Sequence, residues 1–237
     1  MDNIIKSFKE LKWYEILMII IMVVIAGLSV YKAIVDPANS YPLWLTIINF
    51  ISAICGIICI FFCAKANISN FIFGTINTIV YAIYLYYEKI YGTFALEVLF
   101  YLPVNFISWY IWAKHRDEKY TEKTKSKKLT KEQNIIVTLL ILLGGIVYHS
   151  ILIRIGGEVA WLDAFTLSIG IIAVLLEMLR FKEQYIWWII TDIIAVAMYI
   201  VHFDPVYLTK KSIYLIMAVI GLYNWHKLNK ERNKLNQ

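Results

Sequence analysis

Charged side chains are scarce in this 237-residue chain. Only 17% of the residues are Asp, Glu, Lys or Arg, whereas 60% are hydrophobic, and the mean hydropathy is +0.65. A soluble domain of this size could not cover so much apolar surface. The charges cluster between apolar runs of roughly 17–22 residues, the length of a helix that crosses the hydrocarbon core of a bilayer. The composition therefore predicts an integral membrane protein.

The residue patterns of common enzymes are also missing. The chain has no Gly-rich phosphate-binding loop and no His/Glu metal spacing, and its four histidines fall near the ends of apolar runs. The three cysteines, Cys55, Cys59 and Cys63, follow one another at i, i+4 and i+8 without a histidine or carboxylate nearby in sequence. This spacing favours small core residues over a metal site, and it offers no disulfide framework. We expect a protein that is not an enzyme, with no catalytic residue, metal or cofactor.

Eight apolar segments are predicted to span the membrane, at residues 14–35, 42–64, 68–87, 93–113, 134–153, 159–179, 185–203 and 207–226. The first run is long and lacks a small-residue cleavage site, so it is predicted to be a true span rather than a signal peptide. Eight spans put both termini on one side, and that side then carries 18 of the 23 Lys and Arg residues. The positive-inside rule therefore predicts cytoplasmic termini in an inner or plasma membrane. It also explains the net charge of +6 without nucleic acid.

A long polar segment, residues 114–133, separates the fourth and fifth spans and carries eight Lys and Arg residues. We interpret it as a solvated cytoplasmic linker. The alternative is a regulatory or lipid-headgroup role.

The chain contains an internal repeat. Polar and aromatic residues match at an offset of 115 and then of 113: Phe50–Phe165, Lys65–Arg180, Asn77–Asp192 and Tyr84–Tyr199, followed by Tyr101–Tyr214, Tyr110–Tyr223 and Trp112–Trp225. Spans 2–4 therefore correspond to spans 6–8, with span 5 between them and span 1 outside the repeat. Parallel repeats of this kind are a transporter architecture, of which the SWEET proteins are one case.

Asp192 is the residue that most needs a function, because an acid inside a membrane-length apolar helix is costly and marks a site or a pathway. A substrate site is expected near mid-membrane, between the repeats. The candidate substrate-binding residues are Asn77, Tyr81, Tyr101, Asn105, Trp109, Trp188, Asp192, Tyr199, Tyr214 and Asn224. Aromatic faces beside amides and a carboxylate suit a flat, partly cationic ring that bears hydroxyls.

Structural interpretations compete for several polar and aromatic residues. Interfacial belts account for Trp44, Trp112, Trp161, Trp225 and Tyr207. Helix packing could account for Asn49, Asn105 and Asn224. Glu177 is expected to pair with Arg180 one turn later. Lys210 and Lys211 fall at the outer end of span 8, too peripheral to predict a Schiff-base lysine.

The sequence resembles the PnuC family of vitamin transporters. The resemblance covers about residues 42–227 and is carried by Trp188-Ile-Ile-Thr-Asp192, Tyr207-Leu-Thr-Lys-Lys-Ser-Ile-Tyr214, Gly221-Leu-Tyr-Asn-Trp225, Asn70-Phe71, Tyr101-Leu-Pro-Val-Asn105 and Trp109-Tyr-Ile-Trp112. It implies an all-α integral membrane fold of eight transmembrane helices, with a SWEET-like 3+1+3 core and one extra N-terminal helix. It further implies uptake of nicotinamide riboside by facilitated diffusion, with trapping by a cytoplasmic kinase. Asn105 stands where many relatives have Gln, and Ser108 replaces a glycine.

Because of these departures, other substrates remain alternatives to nicotinamide riboside: thiamine first, then riboflavin or a deoxynucleoside. A membrane ligand sensor without transport is the alternative of another class. The expected partners are a small molecule and the lipid bilayer, without nucleic acid, and homo-oligomerisation is left open. The predicted domains are 1–41 (N-terminus and extra helix), 42–113 (first repeat), 114–158 (basic linker and connecting helix), 159–227 (second repeat) and 228–237 (cytoplasmic tail).

Overall fold

The structure, a computed structural model, describes residues 7–117, 122–154, 160–201, 203 and 205–235. These residues form long helices joined by short connections, and their only β-structure is three isolated bridges. The long helices are α1 (Trp13–Val35), α2 (Leu43–Ala64), α3 (Asn70–Tyr87), α4 (Tyr91–Lys114), α5 (Lys131–Arg154), α6 (Ala160–Met178), α7 (Gln184–Val201) and α8 (Pro205–Leu235). The helix boundaries lie close to the predicted ones, with one exception at the end of the chain.

Six of the described helices are long and apolar enough to cross a bilayer, namely α1, α2, α4, α5, α7 and α8. This confirms an all-helical integral membrane protein. Two predicted spans do not reach the same standard. In α6 the described residues give a shorter apolar helix, Ala164–Met178. α3 is not among the six, because asparagines, threonines and tyrosines interrupt its apolar sequence.

The last helix is longer than predicted. α8 continues to Leu235, whereas the sequence indicated a helix that ends at residue 226 and a polar tail at residues 228–237. The polar sequence after Trp225 contains Lys, Asn, Glu and Arg but no Gly or Pro, so nothing in it stops a helix.

Two tight turns, α2–α3 and α6–α7, have the same backbone shape. Each contains one residue in the left-handed region, Ala66 with φ 57° and Arg180 with φ 69°. The helices that follow begin at Asn70 and Gln184, which are also 114 positions apart. The offset of 115 predicted for this region is therefore wrong at the turn, where Arg180 corresponds to Ala66 and not to Lys65.

Two groups of three helices, α2–α4 and α6–α8, make matching contacts. α2 packs on α3 and α6 on α7, while α4 packs against α6 and α8 against α2. α1 flanks α2, as α5 flanks α6. Glycines at two of these contacts, Gly74 beside Cys59 and Gly144 beside Ser168, let the helices approach closely. Close packing of this kind drives helix association in a bilayer.

One end of the bundle, which we call the linker end, is formed by the turns 65–69 and 179–183 and by residues 122–130. Residues 122–130, which we call the strap, are an ordered extended segment that joins both turns. Ile68 donates its backbone N–H to Glu122 O at 2.9 Å, and Lys127 donates to Arg180 O at 2.7 Å. Four strap side chains are buried: Glu122, Thr124, Ser126 and Leu129. The prediction of a solvated linker is therefore wrong for this stretch, because unpaired backbone groups in both turns bind it.

The start of α1 is also fixed at the linker end. Glu15, which is 1% exposed, pairs with Lys65 Nζ at 2.6 Å, and Lys65 Nζ also donates to Glu10 O at 2.8 Å. Further along, Met22 and Ala26 pack against α2 and α8 in a buried apolar cluster. α1 is therefore an integral helix of the bundle, as predicted for a true span.

Candidate functional site: a cavity between two groups of three helices

A cavity of about 450 Å³ lies inside the bundle. Its described lining comes from α2, α3, α4, α6, α7 and α8, whereas α1 and α5 contribute no residue to it. The volume falls within the range of small-molecule sites, and the lining mixes aromatic, amide and charged side chains. The cavity brings together eight of the ten residues predicted from sequence: Asn77, Tyr81, Tyr101, Asn105, Trp188, Asp192, Tyr199 and Tyr214.

The other two predicted residues lie elsewhere. Trp109 is 37% exposed and does not line the cavity. Each i+4 step turns a helix by about 40°, so the second step from Tyr101 carries Trp109 off the cavity face. Asn224 donates its side-chain N–H to Ala64 O at 3.2 Å and so ties α8 to the end of α2. The helix-packing interpretation applies to Asn224.

The middle of α4 departs from regular α-geometry where it meets the cavity. Glu97–Tyr101 is a π-helical segment in which Leu102 N–H bonds Glu97 O, and Pro103 follows it. A π-segment inside an α-helix shifts the register of its side chains and occurs frequently at functional sites. Here both ends of the segment, Glu97 and Tyr101, face the cavity. Asn105 lies one turn further on, where its amide donates to Thr75 Oγ1 of α3 at 2.8 Å.

The part of the cavity furthest from the linker end carries a cluster of charges. Asp192 Oδ1 pairs with Lys211 Nζ at 3.1 Å. Lys210 Nζ lies 5.9 Å from the ring centre of Tyr81 and 5.7 Å from that of Tyr214. Glu97 lines the same space. The prediction that the two lysines are peripheral is wrong, and their helical spacing from Tyr214 was the signal that places them on its face.

A close approach of three helices shapes the centre of the cavity. A Cβ atom at Gly56 would lie 2.6 Å from the Tyr214 hydroxyl and 3.3 Å from Asn77 Oδ1, so only glycine leaves both side chains where they are. Ser52 donates to Asn77 Oδ1 at 2.8 Å. This bond leaves the Asn77 side-chain N–H₂ as a donor toward the cavity.

Aromatic side chains close the cavity toward the linker end. Trp112 and Trp225 are fully buried, with ring centres 5.4 Å apart, and Tyr185 and Phe71 contact them. The prediction that both tryptophans belong to an interfacial belt is wrong, because their N–H groups bond helix-end carbonyls inside the bundle. Trp44 and Trp161 are exposed, which agrees with a belt. Tyr207 instead lines the cavity and stacks on Tyr199 with ring centres 5.4 Å apart.

Glu177 is a further cavity residue that the sequence interpretation missed. Its Oε1 lies 3.5 Å from Cys63 Sγ and 3.5 Å from Asn70 Nδ2. The predicted ion pair with Arg180 does not form, because the helix ends at Met178 and the turn carries Arg180 away. Arg180 Nη1 donates instead to Lys125 O at 3.1 Å. The rule that singled out Asp192, an acid inside an apolar helix, applies equally to Glu177.

Comparison with known proteins identifies the family of this chain. The sequence model of a family described as "Nicotinamide mononucleotide transporter" matches residues 46–227. The chain belongs to this family. It is 33% identical over 192 residues to the nicotinamide riboside transporter PnuC of Neisseria mucosa, covering 77% of this chain and 73% of that one. It is 30% identical over 191 residues to PnuC of Haemophilus influenzae, covering 80% of this chain and 82% of the relative.

A solved structure has the same overall fold. The crystal structure of the vitamin B3 transporter PnuC superposes with a TM-score of 0.72 at 30% identity, over 93% of this chain and 94% of that one. The resemblance to the PnuC family is thereby confirmed. Membership of a transporter family also confirms that the protein is not an enzyme.

Proposed function

We propose that this protein carries nicotinamide riboside into the cell by facilitated diffusion. The observation that supports this substrate most directly is the cavity itself, which combines Asp192, six tyrosine side chains and the Asn77 and Asn105 amides. The nicotinamide ring of this nucleoside is a pyridinium cation, and a cation is attracted both to a carboxylate and to an aromatic face. Amide groups suit the ribose hydroxyls, which both donate and accept hydrogen bonds.

The family description names a nucleotide, whereas the relatives are named for the nucleoside. The charge of the cavity favours the nucleoside. Three carboxyl groups line it, those of Glu97, Glu177 and Asp192, against two amines, those of Lys210 and Lys211. A phosphate monoester would add roughly −1.5 to −2 charges at pH 7. We therefore infer that the site takes the cationic nucleoside in preference to its phosphate.

The architecture that we propose is the SWEET-like 3+1+3 core, with α2–α4 and α6–α8 as parallel repeats, α5 as the connecting helix and α1 as the extra helix. The restriction of the described cavity lining to α2–α4 and α6–α8 supports it. Substrate sites in such transporters lie where the two repeats meet. We place the protein in the inner or plasma membrane. The distribution of Lys and Arg along the sequence then places the linker end and both termini in the cytoplasm.

Facilitated diffusion follows from what the chain offers to drive transport. The sequence has no nucleotide-hydrolysing motif, so in this proposal the electrochemical gradient of the cationic substrate sets the flux. Phosphorylation by a cytoplasmic kinase would trap the nucleoside, since the phosphate no longer fits the cavity. The eight cavity residues predicted from sequence are the substrate-binding residues in this proposal.

A binding experiment tests the substrate. The purified protein is titrated with nicotinamide riboside, nicotinamide mononucleotide, thiamine, riboflavin and deoxyguanosine while tryptophan fluorescence is followed, because Trp188 lines the cavity. We expect saturable quenching by nicotinamide riboside and a loss of affinity of at least about tenfold in Asp192→Asn, which keeps the shape but removes the charge. Tight binding of thiamine or of the mononucleotide instead would contradict the proposed substrate.

A flux experiment separates a transporter from a ligand sensor. Liposomes that contain the protein are given labelled nicotinamide riboside outside. We expect label to enter until the concentrations are equal, and empty liposomes to remain unlabelled. Binding without entry would identify a sensor and overturn facilitated diffusion.

A further inference from the structure

Two lysine side chains of α8 lie against the groups that would recognise a cation. Lys211 Nζ is 3.1 Å from Asp192 Oδ1 and 5.5 Å from the ring centre of Tyr214. Lys210 Nζ lies over Tyr214 and Tyr81. The carboxylate and the aromatic faces that suit a pyridinium ring are thus already in contact with positive charges that belong to the protein.

We propose that Lys211 acts as a tethered substitute for the positive charge of the substrate. Its ammonium group pairs with Asp192 while the cavity is empty and moves away from it when a cationic ring binds. This inference rests on the proposed function, because it requires a cationic substrate. Lys211 is then a positioning residue that matters most when no substrate is bound.

The burial of Asp192 explains why the empty protein needs this pair. The Asp192 side chain is 4% exposed, whereas that of Lys211 is 29% exposed. A buried carboxylate without a partner is strongly destabilised in a low-dielectric interior. A carrier that works by facilitated diffusion must close around an empty site to return for the next molecule. The Lys211 ammonium keeps the carboxylate paired during that step, and the substrate cation does so during the loaded step.

The exposure of Lys211 also allows the exchange. A lysine has a flexible four-carbon stem and a strongly hydrated ammonium group, so it can leave a carboxylate for water more easily than a bidentate arginine can. The fully buried partner, Asp192, stays in place and accepts whichever cation is present. The Asp192 carboxylate is therefore neutralised by Lys211 in the empty protein and is still available to a cationic substrate.

Lys210 provides a matched control on the same helix. It lines the same cavity and contacts the same tyrosine ring, yet within the described residues it forms no ion pair. Lys210→Met and Lys211→Met remove the same charge from the same space. Only Lys211→Met leaves Asp192 without its partner.

The test compares two kinds of transport in liposomes that contain Lys211→Met, Lys211→Arg or Lys210→Met protein. Net uptake into empty liposomes requires the unloaded return step, whereas exchange with liposomes preloaded with unlabelled nicotinamide riboside does not. We expect Lys211→Met to lower the ratio of net uptake to exchange by at least about tenfold. Lys211→Arg keeps the cation and should restore the ratio. Lys210→Met should change the ratio less than about twofold, because Asp192 keeps its partner Lys211.

Binding provides the second measurement. Lys211→Met should bind nicotinamide riboside at least about fivefold more tightly than the wild type, because the substrate no longer competes with a tethered cation. The reduced form of the nucleoside has a neutral dihydropyridine ring, and its affinity should not rise. Unchanged neutral-ring binding also shows that the variant is folded.

Each outcome decides the question. Equal losses of net uptake and exchange in Lys211→Met, or equal ratios in Lys210→Met and Lys211→Met, would overturn the tethered-cation role while leaving the substrate assignment intact. Wild-type protein that neither binds nor exchanges nicotinamide riboside would instead overturn the proposed function, and this inference with it.

Discussion

Trp112 and Trp225 make the same hydrogen bond in opposite directions across the bundle. Trp112 Nε1 donates to Glu177 O, and Trp225 Nε1 donates to Cys63 O, both at 2.9 Å. Each acceptor is the next-to-last residue of its helix, α6 or α2, where a carbonyl has no partner within the helix. The last helix of each group of three thus caps the first helix of the other group.

This relationship predicts the effect of Trp112→Phe. The variant keeps an aromatic ring in the closed end of the cavity but removes one of two N–H donors to the Glu177 carbonyl, because the Arg180 backbone N–H still donates to it at 2.9 Å. The loss of one hydrogen bond costs about 0.5–1.5 kcal/mol. We expect a lower midpoint of thermal unfolding in detergent. The shift for Trp225→Phe should be smaller, because the Ala66 N–H and the Tyr185 hydroxyl also donate to Cys63 O. Trp109→Phe is the control, because Trp109 is 37% exposed. An unfolding midpoint equal to that of the control would show that the two hydrogen bonds do not contribute to stability.

Gly56→Ala should weaken substrate binding without unfolding the protein. The added methyl group would lie 2.6 Å from the Tyr214 hydroxyl, which is the far end of a long side chain and can move. Displacing that hydroxyl and the Asn77 amide removes about one hydrogen bond to the ligand, or roughly tenfold in Kd. The control is Gly27→Ala in α1, where no atom lies within 4 Å of the new Cβ. A Kd for nicotinamide riboside equal to that of the control would exclude this shaping role of Gly56.

Most of the fold could be predicted from the sequence, because membrane-length apolar runs identify helices with little ambiguity. The internal match of Trp112 and Trp225 also indicated equivalent positions correctly. The burial of these side chains could not be predicted, since a tryptophan near a span end suits an interface and a helix cap equally well. The strap was missed for a related reason. A basic polar segment is typical of a solvated linker, and the sequence does not show that the backbone groups of the two turns need hydrogen-bond partners.

The candidate site was predictable where a residue lies at helical spacing from another on the same face, as Trp188 and Asp192 do. Trp109 was assigned to the site because a straight stripe ignores the drift of each i+4 step. Asn224 was assigned to it because an amide within a span suits a ligand and a neighbouring helix end equally well. Lys210 and Lys211 were dismissed because they fall near the outer end of span 8. Position along a span does not show whether a side chain faces a cavity between helices. These misses concern side-chain direction and not the choice of helix.

The ion pair between Glu15 and Lys65 predicts strong coupling between α1 and the α2–α3 turn. Both side chains are largely buried, with Nζ and Oε2 2.6 Å apart. Removing one partner leaves a buried charge, so Glu15→Gln and Lys65→Met should each cost about 3–5 kcal/mol. The double variant should cost less than the sum, as measured in a double-mutant cycle of thermal unfolding. Additive losses would show that the two charges act separately.

Glu183→Ala should loosen the strap. Glu183 is buried, and its Oε2 accepts the backbone N–H of Leu129 at 3.1 Å. Without that acceptor a buried N–H is unpaired, which costs about 1–3 kcal/mol and raises the population of a locally open strap by roughly 5- to 150-fold.

Limited trypsin digestion measures this opening, because the strap carries Lys123, Lys125, Lys127 and Lys128 and cleavage follows the open population when closing is fast. Mass spectrometry of the fragments should show faster cleavage within residues 122–130 for Glu183→Ala. Glu183→Gln keeps a side-chain oxygen as acceptor and should remain close to the wild type. Glu231→Ala removes an exposed carboxylate whose contact with Lys227 spans 3.9 Å, so it should change nothing. Wild-type resistance in Glu183→Ala would mean that the backbone bonds to the two turns hold the strap without this side chain.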